Sequence, residues 1–296
     1  MRRERQRVVV TGLGAFSPGG LGVEAYRRWL PARHTASDLR VPEFDAAVFI
    51  RNPRRLRTMH RSFQLATAAA VMAMEAAGMP KEAEAGGLEA MGIAPERAGL
   101  ATAMADISPV TADLLRVLAT VAGEMGRGPN GYAQFAEVGA RELHPFRRLA
   151  LLANMAAGHT SLLLNMQGPG FSFTSGAGAG MQTVTECFWT VAEGRADLML
   201  AQSASSPEQS YNSTQQPEIS GAVVLESGAS AERRGATVIA EIVAGEERTP
   251  AAPAGMEPAP ELMAALMRLA ENGPVVALTE LARAAAEAPA MIEVHK

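Results

Sequence analysis

The sequence predicts an α/β protein with at least one sheet covered by helices. Three observations predict it. Short β-branched or small apolar runs recur along the chain, at residues 7–11, 97–104, 196–201, 219–225 and 236–243. Apolar helical stretches fall between them, clearest over 62–77 and 180–193. Residues 168–180, Gly-Pro-Gly-Phe-Ser-Phe-Thr-Ser-Gly-Ala-Gly-Ala-Gly, read as a short buried strand that ends in a tight glycine turn and enters a helix.

Taken in order, Val8, Val9, Val10 and Thr11 form a buried strand that meets a turn at Gly12 and Gly14. Gly12, Gly14 and Ser17 nearly match a dinucleotide fingerprint, but Ser17 stands where a third Gly or Ala belongs. Pro18, Gly19 and Gly20 then break the chain where the phosphate-binding helix should run. Residues 31–58 are irregular and rich in Arg and Pro, a surface loop. Residues 62–77 are dense in Ala, Met and Leu and stop at Gly78 and Pro80, which marks a helix end. Residues 81–92 read as exposed, 97–104 as a core strand, 109–123 as a helix and 126–131 as a loop. A long apolar helix is expected over 146–166, the strand before the glycine turn over 171–174, and the helix after it over 180–193. Residues 203–217 form a polar loop, and Arg233, Arg234 and Gly235 turn the chain between the next two strands. Three regions follow from this pass: 1–245 as one domain, 246–260 as a Pro/Ala-rich linker, and 261–296 as a short α/β remnant. The last region reads as helix 261–271, strand 275–278, helix 279–287 and a final apolar strand 291–294.

Composition narrows the function. The 296 residues are 48% hydrophobic and 20% charged, ordinary for a globular protein large enough for one core or two. Net charge is −4, so no global basic field would attract nucleic acid, and the arginines at 2, 3, 5 and 7 read as a solvated terminus. The single cysteine, Cys187, excludes an intramolecular disulfide and a cysteine metal cluster, and fits a reducing cytoplasm. The five histidines are scattered without helical i,i+4 spacing, so neither a metal nor a cofactor is expected. No apolar stretch approaches the roughly 20 residues of a membrane span, and the N-terminus lacks the apolar segment of a signal peptide.

The glycine turn concentrates the functional signal. A strand–turn–helix of this kind presents a nucleophile to a helix N-terminus, yet the turn carries Ala177, which has no reactive atom. Ser175, two residues earlier, sits on the strand side with no base in view, and no lysine follows to make a phosphate loop. Gly176, Gly178 and Gly180 permit the tight turn, and could still form a nest for an anion or carbonyl. Cys187, beside Phe188 and Trp189, reads as a small buried hydrophobe. His159, in an apolar helix, reads as a core or interface histidine, and Asn154 as a cap or buried hydrogen-bond partner.

Several segments together resemble the β-ketoacyl-acyl-carrier-protein synthases, the ketosynthases of fatty acid and polyketide assembly. They are residues 7–18, Asn154 through Ser161, Gly168-Pro169, residues 194–201, 220–226 and 234–241, in order over roughly 7–245. The resemblance implies a thiolase-like layered α/β/α domain, the first half of a ketosynthase, with a truncated second half. It implies pairing through the strand at 171–174, and a nucleophile turn in which the family's cysteine position falls on Ala177. Two histidines from the second half complete the family's chemistry, and neither of their motifs is found here. The chain therefore leans away from catalysis. It resembles a chain-length factor, a pseudoenzyme that partners an active ketosynthase, or else a homodimer, with acyl carrier protein as a further partner. Asn154, His159, Phe171 and Phe173 are the candidates for an acyl pocket or interface. Two alternatives stay open: a residual acyl-thioester decarboxylase or hydrolase, and a non-catalytic acyl- or carrier-binding scaffold.

Overall fold

Helices bury both faces of a mixed eight-stranded sheet in the computed structural model of the chain. The structure describes residues 5–32, 38–81, 86–104, 115, 117–120, 122, 131–142, 152, 154–174, 176, 178–206, 217–244, 258–271 and 275–292. The strands are β1 (Val8–Ser17), β2 (Gly20–Leu21), β3 (Ala98–Met104), β4 (Gly170–Phe173), β5 (Leu198–Ser205), β6 (Ile219–Ser227), β7 (Ala240–Val243) and β8 (Val275–Ala277). Their order is β4-β3-β5-β6-β1-β7-β8, with β2 paired to β1 alone. β4, β3 and β5 run parallel, as do β7 and β8, while β6 and β1 run antiparallel to their neighbours.

Both faces are covered, so the central strands are buried along their whole length rather than alternating with solvent. Their side chains still alternate between two cores. On β5 and β6, Met199, Ala201, Val223 and Leu225 enter one core, and Leu198, Leu200, Ala222 and Val224 the other. The first core lies under helices α1 (Val23–Trp29), α4 (Ala179–Ala192), α5 (Pro258–Glu271) and α6 (Leu278–Ile292); the second lies under α2 (Arg61–Ala76) and α3 (Met155–Leu164).

The glycines of β1 explain why the fingerprint at 12–17 is incomplete. A Cβ at Gly12 would stand 2.0 Å from the carbonyl oxygen of Ala73, and one at Gly14 would stand 2.1 Å from that of Ala69. These glycines let the Ala-rich helix α2 lie directly on the strand. β1 runs on to Ser17 instead of turning into a helix.

Several boundaries differ from expectation. The helix expected over 146–166 is seen from Met155 to Leu164 and stops where Asn165 adopts the left-handed conformation (φ 55°). Of the segment at 81–92 read as exposed, Gly87–Ala90 forms a helical turn that buries Leu88. A short helix, Gly228–Arg233, precedes the turn at Gly235. α5 begins at Pro258, inside the stretch read as a linker, because proline suits the first helical turn. α6 continues through Ile292, so the final strand expected at 291–294 does not form in its described part; the alanines at 282 and 284–286 favour helix. Most of the helix expected at 109–123 and all but the last residue of the loop expected at 126–131 lie outside the described residues, and Gly131 opens a helix, Gly131–Glu142.

The C-terminal segment folds onto the sheet. α5 buries Ala259, Leu262, Met263, Ala265, Leu266 and Leu269 in the same core as α4, and β8 extends the sheet beyond β7.

Candidate functional site

Among the described residues β4 is an edge strand, paired to β3 on one side only. Gly170 and Ser172 are exposed along it, while Phe171 and Phe173 are half-buried against the core shared with α4. The chain then enters the glycine turn. Gly176 (φ 71°) and Gly178 (φ 88°) take the left-handed conformation that a side chain disfavours, and Gly180 lies buried in the first turn of α4. Ser175 and Ala177 lie outside the described residues.

A helix start leaves its first amides without intrahelical partners. Here the amide of Ala179 donates to the carbonyl of Gly176 at 3.1 Å, and that of Gln182 donates to the carbonyl of Gly178 at 2.9 Å. Gly178, at the cap position, has no side chain to satisfy the others. The carboxylate of Glu261 does so from α5: Gly178 N donates to Oε1 at 2.5 Å, while Gly180 N and Met181 N donate to Oε2 at 2.9 and 3.4 Å. Glu261 is completely buried. Burial pushes its carboxyl above the ordinary range, and the three amide hydrogen bonds oppose that rise.

The sequence reading missed Glu261, since nothing in the primary structure links residue 261 to residue 178. One signal was available. Glu261 is an acid between Ala259 and the apolar run Leu262, Met263, Ala264, Ala265, Leu266, all of which are buried. A charge on the buried face of an amphipathic helix requires a partner.

The other candidates divide. A surface depression of about 360 Å³ brings Asn154 and Phe171 together with Gly158, Ser161, Gly168 and Pro169. His159 and Phe173 do not line it. Asn154 corrects the expectation of a cap or buried partner: it stands at the cap position of α3, but its side chain makes no cap hydrogen bond and is exposed. A helical backbone there (φ −70°, ψ −9°) departs from the extended geometry that capping needs. His159 is buried in contact with the ring of Phe63, centroids 6.2 Å apart. Burial and the positive charge of Arg55 hold its imidazole below the ordinary value, and a hydrogen bond with the Thr58 backbone opposes them. Nε2 of His159 has no hydrogen-bond partner among the described residues.

Behind this histidine, α3 is fixed to the sheet by buried polar groups. Thr67 and Thr160 share a hydrogen bond at 3.0 Å, Thr160 donates to Gln202 Oε1 at 3.2 Å, and Gln202 Nε2 donates to Thr102 Oγ1 at 2.8 Å. Cys187 is wholly buried on α4; burial and the neighbouring Glu186 charge raise its thiol far above the ordinary value, which leaves it inert. Among the described residues no cluster of three His, Cys, Asp or Glu side chains could hold a metal, and no helix is long and apolar enough to cross a membrane.

Comparison with known proteins bears on this geometry. The family described as "Beta-ketoacyl synthase, N-terminal domain" matches residues 31–222. A curated relative, "Putative polyketide beta-ketoacyl synthase 1" of Streptomyces halstedii, is 30% identical over 222 residues, 68% of this chain and 47% of the relative. The chain thus spans about half the length of that relative. Among solved structures, the AntDE:AntF complex, a type II PKS acyl-carrier protein with its ketosynthase bound to the hexaketide, superposes with a TM-score of 0.65 at 18% identity, covering 97% of this chain and 91% of that one. The ishigamide ketosynthase/chain length factor gives a TM-score of 0.60 at 20% identity, covering 97% and 86%. At these identities the structural likeness establishes a thiolase-like ketosynthase fold.

Proposed function

The chain belongs to the β-ketoacyl synthase family through its N-terminal domain, and from that membership we propose that it is a catalytically inactive, chain-length-factor-like subunit. It pairs with an active ketosynthase in fatty acid or polyketide biosynthesis, in the cytoplasm, with acyl carrier protein as a further partner of the pair.

One observation carries the proposal: an open strand edge leads into a glycine turn whose sequence has alanine, not cysteine, at 177. β4 ends the sheet, and no described strand covers its outer side. An unpaired edge is a template for another chain's strand. Four residues beyond the end of β4, alanine stands at 177, where thioester chemistry would require sulfur. His159 packs its ring against Phe63, on the opposite face of the sheet from α4. A partner supplies the chemistry, and this chain supplies surface.

The test is co-expression with an intact ketosynthase and its carrier protein. A stable hetero-pair that elongates acyl chains only when both subunits are present supports the reading. A lone monomer that ignores the ketosynthase at micromolar concentration refutes it, and so does an acyl adduct on this chain after incubation with acyl carrier protein.

A further inference from the structure

The carboxyl group of Glu261 occupies three backbone amides at the start of α4. A thiolate at a helix start is stabilised by the positive end of the helix dipole, and an oxyanion is held by free backbone amides. In this chain, Gly178, Gly180 and Met181 already donate to one buried anion. The amide nitrogen of Gly178 is bonded directly to the carbonyl carbon of residue 177, so that anion is held one peptide unit from the nucleophile position. In its ionised form, which the three amide donors favour, it offsets the positive end of the helix and would repel a second negative group.

The anion comes from an element that is itself firmly seated. α5 is anchored by six apolar side chains in the core it shares with α4. The acid projects from the apolar face of that helix, where an unpaired charge would be costly. The amides of the turn are what make its burial tolerable.

We propose that Glu261 is an internal ligand of the glycine turn, which closes the turn to acyl thioesters independently of the alanine at 177. The nest selects a carboxylate, and α5 delivers one in cis. Restoring a cysteine alone would then leave an ordinary, poorly reactive thiol. The inference rests on the proposed function only in taking this turn as the vestigial nucleophile site; it requires no partner.

Thiol alkylation of the isolated chain tests it. Ala177→Cys is compared with Ala177→Cys/Glu261→Gln, labelled with iodoacetamide at neutral pH and read at the residue-177 peptide by mass spectrometry. Buried Cys187 serves as the silent control. The double variant is expected to label on the order of tenfold faster, the change that a thiol pKa lower by about one unit produces. Equal rates would overturn the proposal. Should the cysteine variants fail to fold, amide hydrogen exchange over residues 178–190 is compared between the wild-type chain and Glu261→Gln. Exchange about tenfold faster in the variant supports the ligand role, and unchanged protection overturns it. Adding acetate to Glu261→Ala gives a third reading. Acetate should raise the melting temperature of that variant above a chloride control of equal ionic strength and leave wild type unmoved; no acetate effect on the variant overturns a carboxylate-selective nest. Co-purification with a ketosynthase is a separate readout, so failure of the partner reading would leave these results standing.

Discussion

Arg234 grips Glu226 with both arms of its guanidinium, Nε to Oε1 at 2.8 Å and Nη2 to Oε2 at 2.5 Å, while its remaining nitrogen donates to the carbonyl of Ala77. Glu226 is fully buried near the end of β6, and Ala77 is the cap residue of α2. One arginine thus neutralises a buried acid and satisfies an orphan carbonyl at a helix C-terminus, where positive charge is favoured. Replacing it with the apolar Met strands both groups. Arg234→Met is expected to lose about 3–5 kcal/mol of stability, the typical cost of removing one partner of a buried ion pair. The double variant Arg234→Met/Glu226→Leu should recover part of that loss in chemical denaturation, because the acid goes with its partner.

The approach of α2 to β1 yields a second expectation. The space beside Gly14 is filled by backbone, the carbonyl oxygen of Ala69 at 2.1 Å and the amide nitrogen of Ala73 at 2.8 Å from an added Cβ. A flexible side chain could swing away from a new methyl; a helix backbone must shift as a unit. Gly14→Ala is therefore expected to cost about 3 kcal/mol, at the upper end for overpacking. Gly170→Ala, with nothing within 4 Å of its added Cβ, should have little effect. Paired thermal melts of the two variants check the contrast.

These cases separate what the sequence carries from what it omits. The strands were legible because buried runs such as Val8–Val10 and Leu198–Ala201 are short, β-branched or apolar, and bounded by turn residues. The glycine turn was legible because positive φ leaves its mark as glycine at 176 and 178. Glycines at 12 and 14 left the same mark for another reason, close helix packing, and sequence does not distinguish the two causes. The contact of Glu261 with Gly178 spans 83 residues, and no local rule of periodicity or capping reaches that far. The end of α3 at Asn165 was hidden because the apolar run Leu162, Leu163, Leu164 resumes at Met166 beyond it, which matches a slightly longer helix equally well.

His159 sets a pH dependence whose sign follows from its surroundings. Burial and Arg55 disfavour the imidazolium, so its folded value lies below the ordinary 6.5. Below pH 6.5 the unfolded chain binds a proton that the folded chain still refuses, so stability falls as pH drops. The contribution is fully present above pH 6.5 and is lost as pH falls through the folded value. His159→Gln should flatten this segment of the curve, making the variant less sensitive than wild type to acidification from neutral pH. Urea midpoints measured for both proteins at matched pH values read the difference. A parallel dependence in the two proteins would assign the acid sensitivity to other groups.

The outer edge of β4 can be tested without disturbing the sheet. The amide of Leu100 donates to the carbonyl of Pro169 at 2.9 Å, and Leu100 is in register with Gly170. In a parallel ladder the amide and carbonyl of one residue point to the same side, and successive residues alternate. Pro169 and Phe171 therefore direct their backbone groups toward β3, while Gly170 and Ser172 direct theirs outward. Ser172 is exposed, and its outward amide is the donor that a partner strand would take. Proline at this position removes that donor and adds a ring to the open edge, a placement that edge strands tolerate. Ser172→Pro is expected to keep the wild-type circular dichroism and lie within about 1 kcal/mol of its stability, yet to lose co-purification with a ketosynthase and any strand-paired self-association in analytical ultracentrifugation. Assembly that survives the substitution would move the interface away from β4, toward the surface around Asn154 and the exposed Leu162 on α3.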